Sequence, residues 1–167
     1  NRKKVVVLAS APSQDVSAVR EALKKVDAYE VAYRSINDET TLDDKNELAI
    51  VFLQPFASPA ALENTLKNYN GPLWLIIDPA ADAQLFRGQL NWISKVGRPQ
   101  GIAGRINLNK NFGLFKLSKE TNAAFSKFGA VNIFSGSIRT TGSFENLFLD
   151  TQQKGVVSYG AIENRKV

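Results

Sequence analysis

The sequence predicts an α/β fold, a mostly parallel sheet covered by helices, with antiparallel strands added in the C-terminal half. Three observations predict it. Continuous apolar runs of strand length recur through the first half. Amphipathic segments with helix-start signals lie between them. Beyond residue 95 the pattern changes to short β-type segments separated by Gly and Asn. Runs that are apolar throughout fit strands buried on both faces, as in parallel sheets.

The elements follow in order. Val5–Ala9 is a first strand, and the turn "LASAPSQD" (8–15) leads into a helix. Ser13 is placed to cap that helix, with Asp15 in its first turn. Val16, Val19, Leu23 and Val26 follow at helical spacing and Lys24 and Lys25 lie near the end. Tyr29–Ile36 reads as a second strand and 37–46 as an acidic, solvated loop. "LAIVFL" (48–53) is a third strand. Ser58 then caps a helix with Pro59 at its first position and Gly71 after its end, burying Leu62, Leu66 and Tyr69. "PLWLIID" (72–78) is a fourth strand. Asp78–Pro79 repeats the cap-then-Pro start, predicting a helix to about Ile93 with Leu85, Phe86 and Leu90 inward.

In the second half, 95–115 reads as irregular and 118–128 as a short helix ending at Gly129. β-type segments follow at 131–134, 146–151 and 156–162, the last two joined at hairpin length by "QQKG" (152–155). They are expected on the edge of the sheet. At 167 residues one domain spanning 1–167 is expected. The chain starts at Asn1 rather than Met, and is expected to be excised or processed from something longer.

Two absences bound the chemistry. The chain has no Cys and no His. Disulfides and a thiolate nucleophile are therefore excluded, and Cys-His-Glu and Ser-His-Asp triads are impossible within it. The commonest zinc ligand is missing too. No apolar stretch approaches the roughly 18 residues that cross a bilayer. The formal charge of +5 is uneven: residues 1–82 carry 9 basic and 12 acidic side chains, and residues 83–167 carry 12 and 4. A basic half suits an anionic partner, or simply a solvated surface.

Four polar residues lie where open parallel sheets place ligands, just past the strand ends: Ser10, Ser13, Gln54 and Asp78. Ser10 and Ser13 with a helix N-terminus suit a small anion. The turn has no glycine and Pro12 lacks an N–H, so a plain strand-to-helix turn is the competing reading. Asp78 is either a nucleophile or ligand, or a helix cap. "NDETTLDD" (37–44) lacks the Gly and distal Glu of a calcium loop. "FSGSIRTTGSF" (134–144) suits either an anion cradle or a flexible connection. Trp74 and Trp92 read as core. No metal ligand set and no cofactor are expected.

Several stretches resemble one family. "KKVVVLASAPSQDVSAVREALKKVDAYEV", "LAIVFLQPF" with "GPLWLIID", "NKNFGLFKLS" (Asn109, Phe112 and Phe115) and "ENLFLDTQQKGVVSYGAI" resemble the class I glutamine amidotransferase-like domain of BatA-type membrane-anchored bacterial envelope proteins, some of which also carry a von Willebrand factor A domain. The resemblance implies a flavodoxin-like, class I glutamine amidotransferase-like three-layer sandwich. It implies a periplasmic location, anchored through segments outside this chain. The family's Gly- and Trp-rich C-terminal strand has no counterpart here, so an incomplete sheet is expected. The enzymes of this fold carry a Gly-x-Cys-x-Gly turn, and 78–81 reads Asp-Pro-Ala-Ala at the matching place. The expectation is thus a pseudoenzyme with no catalytic residues. It would bind an unknown protein partner, other domains of its parent chain or a small ligand, with no nucleic acid expected and the membrane reached only through the parent. Two alternatives remain open. One is a hydrolase using carboxylate or Ser/Lys chemistry near Asp78 and Ser10. The other is a basic module binding anionic lipid or nucleic acid.

Overall fold

The structure, a computed structural model, describes residues 2–38, 40–95, 101–114, 116–127, 129–133, 138–162 and 165–166. The chain divides into two compact units, Asn1–Trp92 with Ile162–Val167, and Ile93–Ala161.

The first unit is built on a four-stranded parallel sheet. Its strands are β1 (Lys3–Ala9), β2 (Tyr29–Ser35), β3 (Glu47–Leu53) and β4 (Leu73–Ile77), in the order β2-β1-β3-β4. Both faces of β1 are dry: Val5, Val6, Val7, Leu8 and Ala9 are all buried. Alternation along the strands sends Val5, Val7 and Ala9 to one face with Ile50 and Phe52 of β3. Helix α1 (Gln14–Lys24) covers that face through Val16, Val19 and Leu23. Ser13 caps α1, its hydroxyl accepting from Val16 N at 3.2 Å. The helix ends before Val26, which is therefore 44% exposed rather than part of the buried stripe.

Among the described residues no helix joins β2 to β3. The crossover is the acidic loop itself, and it is less solvated than its composition suggests. Asp38 and Asp44 are exposed, but Ile36 and Leu42 are buried. Arg34 pairs with Glu47 at 3.0 Å and donates to Thr41 O, while Glu47 also accepts from Asp43 N. One buried carboxylate thus ties the end of the loop to both strands.

Helix α2 (Pro59–Leu66) starts as its sequence predicts, with Ser58 accepting from Ala61 N and Pro59 in the first turn. Leu62, Leu66 and Tyr69 are buried. Tyr69 Oη lies 2.7 Å from Pro72 O and 2.9 Å from Glu47 O and accepts from Ala49 N, fastening the start of β3 to the approach to β4. Gly71 does not cap α2, which ends at Leu66. It is glycine because a Cβ there would lie 2.6 Å from the Tyr69 ring.

Two further sequence expectations fail in this unit. The helix expected from Asp78 to Ile93 is two short 3-10 turns, Ala83–Phe86 and Gly88–Leu90. Asp82, not Asp78, caps the first by accepting from Gln84 N. Gly88 breaks the run at φ +56°, where the Glu63 carboxylate fills the space of a side chain and accepts from Gln89 N. Leu85, Phe86 and Leu90 are nonetheless buried. Trp74, expected in the core, is 46% exposed on β4, which lies at the end of the sheet order. Trp92 is buried, its indole N–H donating to Gln89 O.

The second unit holds antiparallel pairs. Strand β5 (Ile93–Lys95) pairs with β9 (Ile138–Thr140), and β6 (Ile102–Gly104) with β8 (Val131–Ile133). Strand β10 (Phe144–Leu149) lies between β7 (Asn107–Leu108) and β11 (Gly155–Ile162). Helix α3 (Lys119–Ser126) lies against β7. These strands form sheets of their own instead of extending the parallel sheet, because each finds its partner within the segment. The predicted hairpin is present: buried Asp150 accepts from Gln152 N and Lys154 N and so closes the "QQKG" turn, with Gln153 at φ 63°. Residues 134–137 of the "FSGSIRTTGSF" stretch, and Phe115 and Phe128, lie outside the described residues. Among the described residues no helix is long and apolar enough to cross a membrane.

Candidate functional site

The C-terminal ends of the parallel strands gather the four polar residues at one edge of the first unit. Two of them meet. Ser10 follows β1 and Gln54 follows β3, which pair in parallel. Gln54 Oε1 accepts from Ser10 N at 2.9 Å, from Ser10 Oγ at 3.0 Å and from Ala11 N at 3.0 Å. Three donors therefore converge on one amide oxygen. The turn that a phosphate loop would leave open is filled from within the chain by a residue 44 positions away.

The other two are engaged separately. Ser13 caps α1. Asp78 N continues the β3–β4 ladder to Leu53 O, and its carboxylate accepts from Ala80 N at 2.7 Å, closing an Asx turn before Pro79 and Ala80 complete the bend. The chemistry of these groups follows from their partners. The Ser10 hydroxyl donates its hydrogen bond to an amide oxygen, which is no general base. Among the described residues no group of three Asp or Glu side chains is placed to hold a metal ion.

Sequence reasoning missed Asn37. Its side-chain oxygen accepts from Ser58 N at 2.9 Å and its amide donates to Phe56 O at 3.4 Å. Ala57 N donates to Gln54 O. The five residues from Gln54 to Ser58 are thus held at both ends, by Gln54 on the turn after β1 and by Asn37 after β2. Phe56 stands out from this loop with 83% of its surface exposed. No local signal in "LQPFASP" marks Asn37 as its support, because the two segments are remote in sequence.

No family model and no curated protein matches the sequence. The site is thus read from its own geometry.

A groove of about 310 Å³ lies elsewhere on the first unit, between α2 and the two 3-10 turns, lined by Leu62, Glu63, Leu66, Leu85 and Arg87 among others. Its one carboxylate, Glu63, is already bonded to Gln89 N. At the strand edge the Ser10 and Ala11 N–H groups are satisfied by Gln54 Oε1, and the apolar Phe56 is not covered. That arrangement offers a contact surface more than a reacting group.

Proposed function

We propose that this chain is a non-catalytic interaction domain, of the flavodoxin-like, class I glutamine amidotransferase-like three-layer type, from an extracytoplasmic part of a membrane-anchored bacterial envelope protein. A protein partner docks on the Phe56 loop at the strand edge. The observation that carries the reading is the convergence of Ser10 N, Ser10 Oγ and Ala11 N on Gln54 Oε1, which occupies the turn and stiffens the loop bearing Phe56. A rigid loop presenting one exposed aromatic ring loses little entropy on binding and supplies a type of side chain enriched at interfaces. The envelope location rests on the resemblance of the strand and turn sequences.

The test is photo-crosslinking in bacterial cells making the parent chain, with benzoylphenylalanine placed at position 56. A discrete protein adduct, lost when the flanking loop is released by Gln54→Ala, is the expected result. Absence of any adduct at position 56, or hydrolysis of amide or ester substrates that disappears in Ser10→Ala, overturns the reading. Full-length parent protein digested by protease from the periplasmic side within this domain fits the proposed location, and protection there removes it.

A further inference from the structure

The parallel sheet of the first unit has two lateral edges, and the sequence treats them differently. The order β2-β1-β3-β4 leaves one edge on β2 and the other on β4. Strand β2 carries Glu30 and Arg34, charged side chains of the kind that discourage further pairing at an edge. Strand β4 reads Leu73-Trp74-Leu75-Ile76-Ile77, with no charge, no Pro and no Gly. Among the described residues no strand pairs with its outer side. Trp74 is 46% exposed, and Leu75, Ile76 and Ile77 are half-buried. An uncharged apolar edge of this kind is a template for another strand.

The ladder to β3 fixes which groups of β4 are open. Ala49 N donates to Pro72 O, and Asp78 N donates to Leu53 O. Alternate residues of a strand turn their backbone groups to the same neighbour, so 72, 74, 76 and 78 face β3. Leu73, Leu75 and Ile77 therefore turn their N–H and C=O groups to the open side. The register also sets the side chains. Trp74 lies beside Ile50 and Ile76 beside Phe52, on the face that α1 covers, and Leu73, Leu75 and Ile77 lie on the other. This pattern is complementary to itself. A second copy laid antiparallel, Leu75 opposite Leu75, puts Leu73 opposite Ile77 and Trp74 opposite Ile76. Leu75 is the centre that engages the whole strand. The Leu75–Leu75 and Leu73–Ile77 pairs then exchange N–H···O bonds between groups that are all outward-facing. Aliphatic meets aliphatic on one face, and aromatic meets β-branched on the other, a favourable cross-strand combination. Asp78, the one charge between residues 68 and 79, falls opposite Pro72 of the copy and far from its own equivalent.

We propose that β4 pairs edge to edge with β4 of a second copy of this chain, joining the two parallel sheets into one about a twofold axis. This is independent of the partner proposed for Phe56. The pairing strand is only 5 residues long, so the dimer is weak and concentration-dependent. The test is sedimentation velocity of the 167-residue chain at rising concentration. The sedimentation coefficient is expected to climb from that of a monomer to that of a dimer and to stop there, because a twofold pairing is closed. Trp74→Lys and Trp74→Glu each bring like charges within about 7–8 Å across the strand pair, and each variant alone is expected to stay monomeric. An equal mixture of the two is expected to regain the dimer, since the facing charges are then opposite, and the regained dimer shows both variants folded. Phe56→Ser is expected to dimerise like the parent. A parent chain that stays monomeric at its highest soluble concentration, or that grows beyond a dimer, overturns the proposal. So do charge variants that dimerise alone as the parent does, a mixture that stays monomeric, or loss of the dimer in Phe56→Ser.

Discussion

Gln54 is the residue on which the strand edge depends, and its removal gives a sharp prediction. Gln54→Ala withdraws one oxygen from three donors, Ser10 N, Ser10 Oγ and Ala11 N. Each net hydrogen bond contributes about 0.5–1.5 kcal/mol, and at this half-buried site water replaces part of the loss, so the expected cost is about 1.5–3 kcal/mol. Ser10→Ala removes only the hydroxyl donor and should cost about 0.5–1 kcal/mol. Because the two backbone N–H groups remain, Gln54→Ala must still destabilise a Ser10→Ala background. Gln54→Glu keeps an acceptor for all three donors and gains a charge-assisted bond, so it should match or exceed the parent at neutral pH. That gain has a definite sign with pH. Donors depress the folded-state pKa of the introduced carboxyl, so its contribution is present above the unfolded pKa and is lost as pH falls through the folded one. The assay is urea unfolding followed by tryptophan fluorescence. Trp74 and Trp92 both belong to the first unit, so the signal reports the unit that contains the clamp. A Gln54→Ala loss below about 0.5 kcal/mol, or equal losses for Ser10→Ala and Gln54→Ala, would refute the convergent geometry.

Three further predictions concern the scaffold. Gly71→Ala forces a Cβ to 2.6 Å from the Tyr69 ring, and should cost about 1–3 kcal/mol in the same unfolding assay, with partial recovery when Tyr69 is also truncated. Glu47→Ala leaves Arg34 and Asp43 N without their acceptor, and because Arg34 is partly solvated the cost should fall near 2 kcal/mol, below the roughly 3–5 of a fully buried pair. The Asn46 side chain, then the Lys45 backbone N–H, holds the Asp43 carboxyl below the ordinary aspartate range. That carboxyl favours the fold above its unfolded pKa, and the effect fades as pH falls through its folded pKa. Asn46→Ala should therefore move the Asp43 titration upward by NMR, and an unmoved titration would assign the shift elsewhere.

Local chemistry was legible in the sequence wherever one residue sets one feature. Ser13 and Ser58 cap helices because their hydroxyls reach an N–H three residues on, and "QQKG" closes a hairpin beneath Asp150. Runs such as "VVVLA" read as buried strands because nothing polar interrupts them. The segment after β4 was misread because Leu85, Phe86 and Leu90 suit a helical stripe and two 3-10 turns equally well. Gly88 and Asp82 were the available signals against one helix. Trp74 was misplaced because strand periodicity says which side chains share a face, not whether that strand has a neighbour. The Ser10–Gln54 and Asn37–Ser58 contacts left no trace in either local stretch, since only the parallel register of β1 beside β2 and β3 brings them together.

The way the edge is satisfied constrains what it can do. A turn whose N–H groups point at one spot attracts an oxygen, and in anion-binding loops the ligand supplies it. Here the oxygen is a neutral amide from the neighbouring strand, so the turn is complete without a ligand. Ser13 caps α1, and the negative charge of Asp15 in its first turn disfavours a second anion at the same helix end. An anion bound at the Ser10–Ala11 turn would have to displace Gln54, losing three bonds before forming any. An apolar partner at Phe56 faces neither cost. It covers a ring that is already exposed, on a loop whose backbone is already fixed at Gln54 and Ser58. The energetics of the edge thus favour recognition by shape over recognition of charge.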